Sequence, residues 1–228
     1  MRQKINTLLL LTLLAVLTAP AFGEATANYY NNRGIAKEGK ADSDGAIADY
    51  TRAMAINPKA AEPYDSLGCL YYDRQEFTNA LADYQQECTL DSTSDYGHYR
   101  LWLVRARLGE ATAATEALKA FLKHRQPRQS GPPDDWRVQI GWFLTGQLAE
   151  TEFLKAAGNA DTPQTEKGQR CEACFYGGSK RLLAGDKTTA ADYFNQCLAT
   201  GAMNFEEYNS AAAELKALAE DAHSQAGQ

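Results

Sequence analysis

Histidine is scarce in this chain: three among 228 residues, His98, His124 and His223, each isolated from the others. That leaves little material for acid–base or imidazole–metal chemistry. No nucleophile elbow, zinc-protease helix, phosphate loop or dinucleotide fingerprint occurs, so the sequence proposes no reaction and no cofactor. A basic excess is also missing, with 23 Lys and Arg against 29 Asp and Glu. Nucleic acid and anionic lipid both need a basic footprint, and neither fits as the main partner. Past the first 23 residues no apolar run is long enough to span a bilayer, which takes about 20 residues.

The beginning of the chain is different. Arg2 and Lys4 precede an apolar stretch from Ile5 to Leu17, and Ala19-Pro20-Ala21-Phe22-Gly23 supplies small residues for cleavage. This pattern reads as a secretory signal peptide over residues 1–23. The expected mature protein is periplasmic or secreted, has no stable membrane span, and carries a net charge of −8 once Arg2 and Lys4 are removed from a total of −6. The first cysteine is Cys69, so the leader lacks the cysteine that a bacterial lipid anchor requires.

What is present is periodicity. The stretch YNNRGIAKEGKADSDGAIADYTRAMAINP, from Tyr30 to Pro58, recurs in weaker form 34 residues later and again after another 34. Gly34, Gly68 and Trp102 fall in step, as do Ala46, Ala80 and Ala114, and Tyr50, Tyr84 and Leu118. Ala46, Tyr50 and Ala53 stand at i, i+4 and i+7, so one helix turns a single face to the helix carrying Gly34, where a small residue lets the backbones approach. A period of 34 with this content resembles the tetratricopeptide repeat. The resemblance implies an all-α solenoid of stacked helical hairpins that binds protein or peptide ligands and performs no chemistry itself.

Three repeats are expected over residues 24–124. Asp42 reads as an N-cap and not as part of a calcium loop, because Gly45 comes too early and no bidentate glutamate follows. Glu87 occupies the position of Ala53, where it needs either an open helix end or a cation. Trp102 in place of glycine requires splayed helices or a register shift. Residues 125–170 read as a proline-rich break, RQPRQSGPPD, followed by a degenerate hairpin around Trp136, Ile140 and Phe143. Residues 171–220 hold a last repeat, with Gly178 and Ala190 spaced like Gly34 and Ala46, and a capping helix, NFEEYNSAAAELKAL. Residues 221–228 are expected to form a disordered tail.

The order of three repeats, proline-rich break, degenerate pair, RCEACFYGGSKRLLAGDKTTAADYFNQCLATG and NFEEYNSAAAEL, together with YRLWLVRARLGE, is similar to the NlpI-like branch of periplasmic tetratricopeptide proteins. That likeness implies an adaptor that brings proteases or cell-wall hydrolases together in the envelope.

In stacked hairpins the first helix of each unit lines the concave surface. Counted by offset from the reference glycine, the candidate binding residues are Asn28 and Asn31 in the first unit, Asp65, Tyr72 and Asp73 in the second, and Tyr96, Tyr99 and Arg107 in the third. The tyrosines offer rigid area with a polar tip, suited to a binding hot spot. They equally suit packing between repeats, or self-association into a homodimer as a structural subunit of an envelope complex.

Five cysteines allow at most two internal disulfides. Antiparallel helices would bring Cys197 near Cys171 and Cys174, and either could be its partner. Neither a redox pair nor haem attachment suits Cys171 and Cys174, because Phe175 follows where histidine would be needed and no thioredoxin-like context surrounds them. No metal site is expected.

Overall fold

The computed structural model describes residues 26–125 and 135–226. The expected signal peptide and most of the proline-rich break lie outside the described residues. Among the described residues the chain is all-α: α1 (Ala27–Glu38), α2 (Ser43–Ile56), α3 (Glu62–Asp73), α4 (Phe77–Leu90), α5 (Asp95–Arg107), α6 (Ala111–His124), α7 (Trp136–Leu144), α8 (Glu150–Ala156), α9 (Pro163–Leu183), α10 (Lys187–Ala199) and α11 (Glu206–Ala226). Consecutive helices pack as hairpins, α1 on α2, α3 on α4, α5 on α6 and α9 on α10, and the hairpins stack into a solenoid.

One contact builds most of these hairpins. A Cβ at Gly34 would fall 2.5 Å from Tyr50 Cε1, one at Gly68 would fall 2.8 Å from Tyr84 Cε1, and one at Gly178 would fall 2.7 Å from Phe194 Cε1. The bare glycine lets an aromatic ring sixteen residues later lie flat on the backbone of its partner helix. All three rings are fully buried. In the third unit Trp102 replaces the glycine, yet Ala114 and Leu118 remain buried and in step. The register is therefore kept, and the indole N–H donates to Thr115 Oγ1 at 3.0 Å.

Helix starts follow local chemistry. The side chains of Thr26, Asp42, Ser94, Thr162 and Asp186 each accept a backbone N–H of their own first turn, satisfying a donor the helix cannot. Thr162 with Pro163 behind it starts α9 well before Cys171, since proline at the first helical position loses no intrahelical bond. At the far end, α11 continues to Ala226, through the stretch from Asp221 where a disordered tail is expected. Its run of Ala, Glu, Leu and Lys favours helix, and Lys187 Nζ reaches Asp221 at 3.1 Å.

Glu87 takes neither of the two forms its sequence position suggests. It is 4% exposed, no salt bridge is formed to it among the described residues, and its carboxylate lies so close to the α5 backbone that a Cβ at Gly97 would fall 2.1 Å from Oε2.

The core divides accordingly. A small cluster of Ala46, Tyr50, Leu67 and Leu70 joins the first two hairpins. The larger one runs from Cys69 and Tyr72 through Tyr99 and Leu103 to Phe175, Tyr176 and Phe194. It exists because the C-terminal helices fold back: α9 packs against α5, and α11 against α3 as well as α9 and α10.

Candidate interaction site inside the solenoid

The concave faces of α3 and α5 are covered by the chain's own C-terminal part. Arg100, 1% exposed, donates from Nη2 to Glu207 Oε1 at 3.0 Å and from Nη1 to Ser210 Oγ at 3.0 Å. Its guanidinium also lies 4.8 Å from the centre of the Phe175 ring, an arrangement that adds cation–π attraction. Arg107 Nη1 donates to both oxygens of Glu214 at 2.9 and 3.1 Å, while Nη2 donates to Gln75 Oε1 at 2.9 Å. Seven residues separate Arg100 from Arg107, and seven separate Glu207 from Glu214. Two helical turns on α5 therefore match two turns on α11.

This closure decides the fate of the tyrosines expected to bind a ligand. Tyr72 is fully buried and its hydroxyl donates to Glu214. Tyr99 is fully buried and donates to the Arg137 carbonyl at 2.5 Å. Tyr96 is half-buried and donates to Glu172 Oε1 at 2.5 Å, with Trp136 Nε1 donating to Oε2 of the same carboxylate at 2.6 Å. Burial and the nearby Glu207 charge push the Glu172 carboxyl up to about 8. These three tyrosines and Arg107, expected to face an open groove, have their polar tips already satisfied within the chain.

The first unit is different. Asn28 is exposed and, with Thr26, Tyr30, Arg52, Ile56 and Asn57, lines a cleft of about 550 Å³ at the outer end of the solenoid. Asn31 is half-buried with its Oδ1 buried and unpartnered, and Ile35 is 50% exposed. On α1, Arg33 and Lys37 both pair with Asp49, and the Tyr50 hydroxyl donates to Glu38. Asp65 and Asp73, one unit further in, are half-buried; burial holds the Asp73 carboxyl up at about 7. Of the eight expected residues Asn28 is exposed, Asn31, Asp65, Asp73, Tyr96 and Arg107 are half-buried, and Tyr72 and Tyr99 are fully buried.

A second cleft, of about 410 Å³, lies beside the degenerate hairpin between Trp136, Trp142, Leu148 and Gln169. Trp142 is 42% exposed. The sequence pattern places Trp136, Ile140 and Phe143 on one face of the degenerate hairpin and names no site beside it.

What sequence reasoning missed at the interior is the acidic face of α11. Glu207, Ser210 and Glu214 recur at i, i+3 and i+7 amid alanines, a polar stripe on a helix that otherwise buries Ala211. The signal lay in the matching seven-residue steps of Arg100/Arg107 and Glu207/Glu214.

Among the described residues no helix is long and apolar enough to cross a membrane. No family model matches the chain. Over an alignment of 231 residues the chain is 25% identical to a protein of Haemophilus influenzae named lipoprotein NlpI homolog, covering 89% of this chain and 74% of that one. Among solved structures, YrrB, described as a TPR protein with an unusual peptide-binding site, overlaps 78% of this chain and 88% of its own at 15% identity, with a TM-score of 0.44. The stacked glycine–aromatic hairpins build an all-α solenoid, and in sequence the chain is similar to the lipoprotein NlpI homolog.

Proposed function

We propose that this chain is a non-enzymatic adaptor of the cell envelope, exported by its N-terminal leader, which binds a protein or an extended peptide. The observation that carries this reading is the unequal filling of the concave surface. In the second and third units, α9 and α11 occupy it, whereas in the first unit Asn28 and Ile35 stand open and Asn31 keeps an unpartnered buried Oδ1. An exposed apolar side chain between amide groups suits a backbone ligand, which offers both hydrogen-bond donors and acceptors. The resemblance of the sequence to the NlpI-like branch implies proteases or cell-wall hydrolases as the proteins brought together.

The test is capture from a native envelope extract by the purified mature chain, wild type against a triple variant Asn28→Ala, Asn31→Ala and Ile35→Ser. A bound protein retained by wild type and lost from the variant supports the reading. Equal capture by both removes the first unit as the binding surface. Cell fractionation tests the compartment, and recovery of the chain in the cytoplasm with its leader intact overturns export.

A second reading, self-association, is favoured by one observation. Among the described residues the outermost hairpin has no neighbour on one side, and it exposes Tyr29 at 51% and Ile56 at 42%; open ends of repeat arrays require covering. Light scattering across a concentration series separates the two, since a dimer lost on Tyr29→Ser would identify that face as the contact.

A further inference from the structure

Asp65 and Cys69 stand one turn apart on α3, so their side chains share a face. The fold brings Glu206, the first residue of α11, to this face from 137 positions away, and the Cys69 thiol donates to Glu206 Oε2 at 3.0 Å. One donor atom from each of Asp65, Cys69 and Glu206 lies within 4.8 Å of the other two. A single ion about 2.0–2.3 Å from each atom would bridge such a set with small side-chain movements.

Two further observations show that the aspartates here are short of direct partners. No hydrogen bond or salt bridge reaches the half-buried Asp65 carboxylate from the described residues, and the acids Glu206 and Glu87 act on it. One turn beyond Cys69 on the same face, Asp73 keeps a buried Oδ1 with no partner, and the charges of Glu38 and Glu206 reach it too. The cation whose field touches both aspartates is Arg100, which is already held by Glu207 and Ser210.

We propose that Asp65, Cys69 and Glu206 form a binding site for a thiophilic divalent cation of the zinc type, which clips the start of α11 onto α3. One thiolate and two carboxylates select zinc or cobalt(II) over magnesium or calcium, which prefer all-oxygen shells. Water completes a four-coordinate shell. On binding, the Cys69 sulfur gives its proton to solvent, its hydrogen bond to Glu206 is replaced by a sulfur–metal bond, and the two carboxylates each donate a lone pair. No electron changes hands. Glu206 is exposed, which gives the ion a path from solvent. The site does not depend on which partner the adaptor binds.

The experiment is a titration of the full chain, thiols reduced, with cobalt(II) and then zinc. A near-ultraviolet thiolate-to-cobalt band that saturates at one equivalent and is abolished by zinc is expected. It should vanish in Cys69→Ser, persist in Cys88→Ser and Cys197→Ser, and require about tenfold or more cobalt in Glu206→Gln and Asp65→Asn. Glu206 is exposed, so its variant keeps the fold, which far-ultraviolet circular dichroism verifies. A wild-type chain without the band overturns the proposal, as does a band that survives Cys69→Ser, one lost with Cys197→Ser, or an unchanged cobalt affinity in Glu206→Gln.

Discussion

Arg100 on α5 and Glu207 on α11, 107 residues apart, meet at 3.0 Å with side chains 1% and 6% exposed. Such a pair holds two charges out of water, and its energy depends on both being present. Glu207 also accepts from the Tyr176 hydroxyl at 3.2 Å, and Ser210 accepts from the same guanidinium. Arg100→Ala leaves the Glu207 carboxylate buried without its cation, so a loss of about 3–5 kcal/mol is expected. Urea unfolding measures it. A double-mutant cycle with Glu207→Ala should return a coupling of at least about 1 kcal/mol, and additivity would show that the two side chains do not depend on each other.

Glu87 offers a pH dependence with a definite sign. Burial pushes its carboxyl up from the ordinary 4.5 to about 7, and the nearby Asp91 and Glu206 charges act in the same direction. The folded chain therefore holds a proton at Glu87 that the unfolded chain releases, in the window between about 4.5 and about 7. Stability contributed by this group is complete below that window and is lost as pH rises through it. Glu87→Gln, neutral at every pH, should gain up to about 3 kcal/mol relative to wild type at pH 8. Near pH 4 the two should agree, so parallel urea curves at the two pH values suffice. An identical difference at both would assign the effect to packing.

The local parts of this architecture were legible because each rests on residues close in sequence. Gly34 with Tyr50, Gly68 with Tyr84 and Gly178 with Phe194 are one device written three times at one spacing, and a periodicity argument finds it without tertiary knowledge. The filled interior was not legible in the same way. Offsets from the reference glycine assign Tyr72 and Tyr99 to the concave surface and presume that this surface faces solvent. Whether it does depends on Glu214 and Glu207, more than a hundred residues away, and on α11 running back across α3. At Trp102 the expected alternatives are splayed helices or a register shift, and Ala114 and Leu118, buried in step, leave no shift.

Backbone conformation at the hairpin turns gives a prediction independent of any side-chain contact. Ala41, Gln75, Gly109 and Gly185 occupy the same turn position, and all have positive φ: 60°, 61°, 89° and 82°. Glycine carries no steric penalty there, whereas an L-residue loses roughly 1–2 kcal/mol. Ala41 is exposed, so its methyl group contributes little packing to offset this. Ala41→Gly should raise stability by about 0.5–1 kcal/mol after the greater flexibility of the unfolded glycine is counted. The reverse change, Gly109→Ala, should lower it by about 1 kcal/mol. Urea midpoints at unchanged slope read both, and a destabilising Ala41→Gly would mean that the alanine turn carries no strain.

The cysteines give the last prediction, because the structure chooses between partners that sequence left open. Cys171 Sγ and Cys197 Sγ are 3.0 Å apart, and both residues are fully buried between α9 and α10. Cys174 shares α9 with Cys171 but lines a separate shallow cleft with Leu154, Arg170 and Gln196. Treatment with glutathione disulfide should join Cys171 to Cys197, each thiol losing a proton and the pair of electrons passing to the oxidant, which leaves as two glutathione thiols. Peptide mapping should then recover the 171–197 link, and thiol titration of the unfolded oxidised chain should count three free cysteines of the five. The bond closes a 26-residue separation, so the oxidised form should be about 3 kcal/mol more stable to urea than the reduced one. Cys174→Ser should leave both results unchanged. A link recovered between Cys174 and Cys197 instead would require α9 to turn about its axis, and would contradict the packing of Phe175 and Tyr176 into the interior.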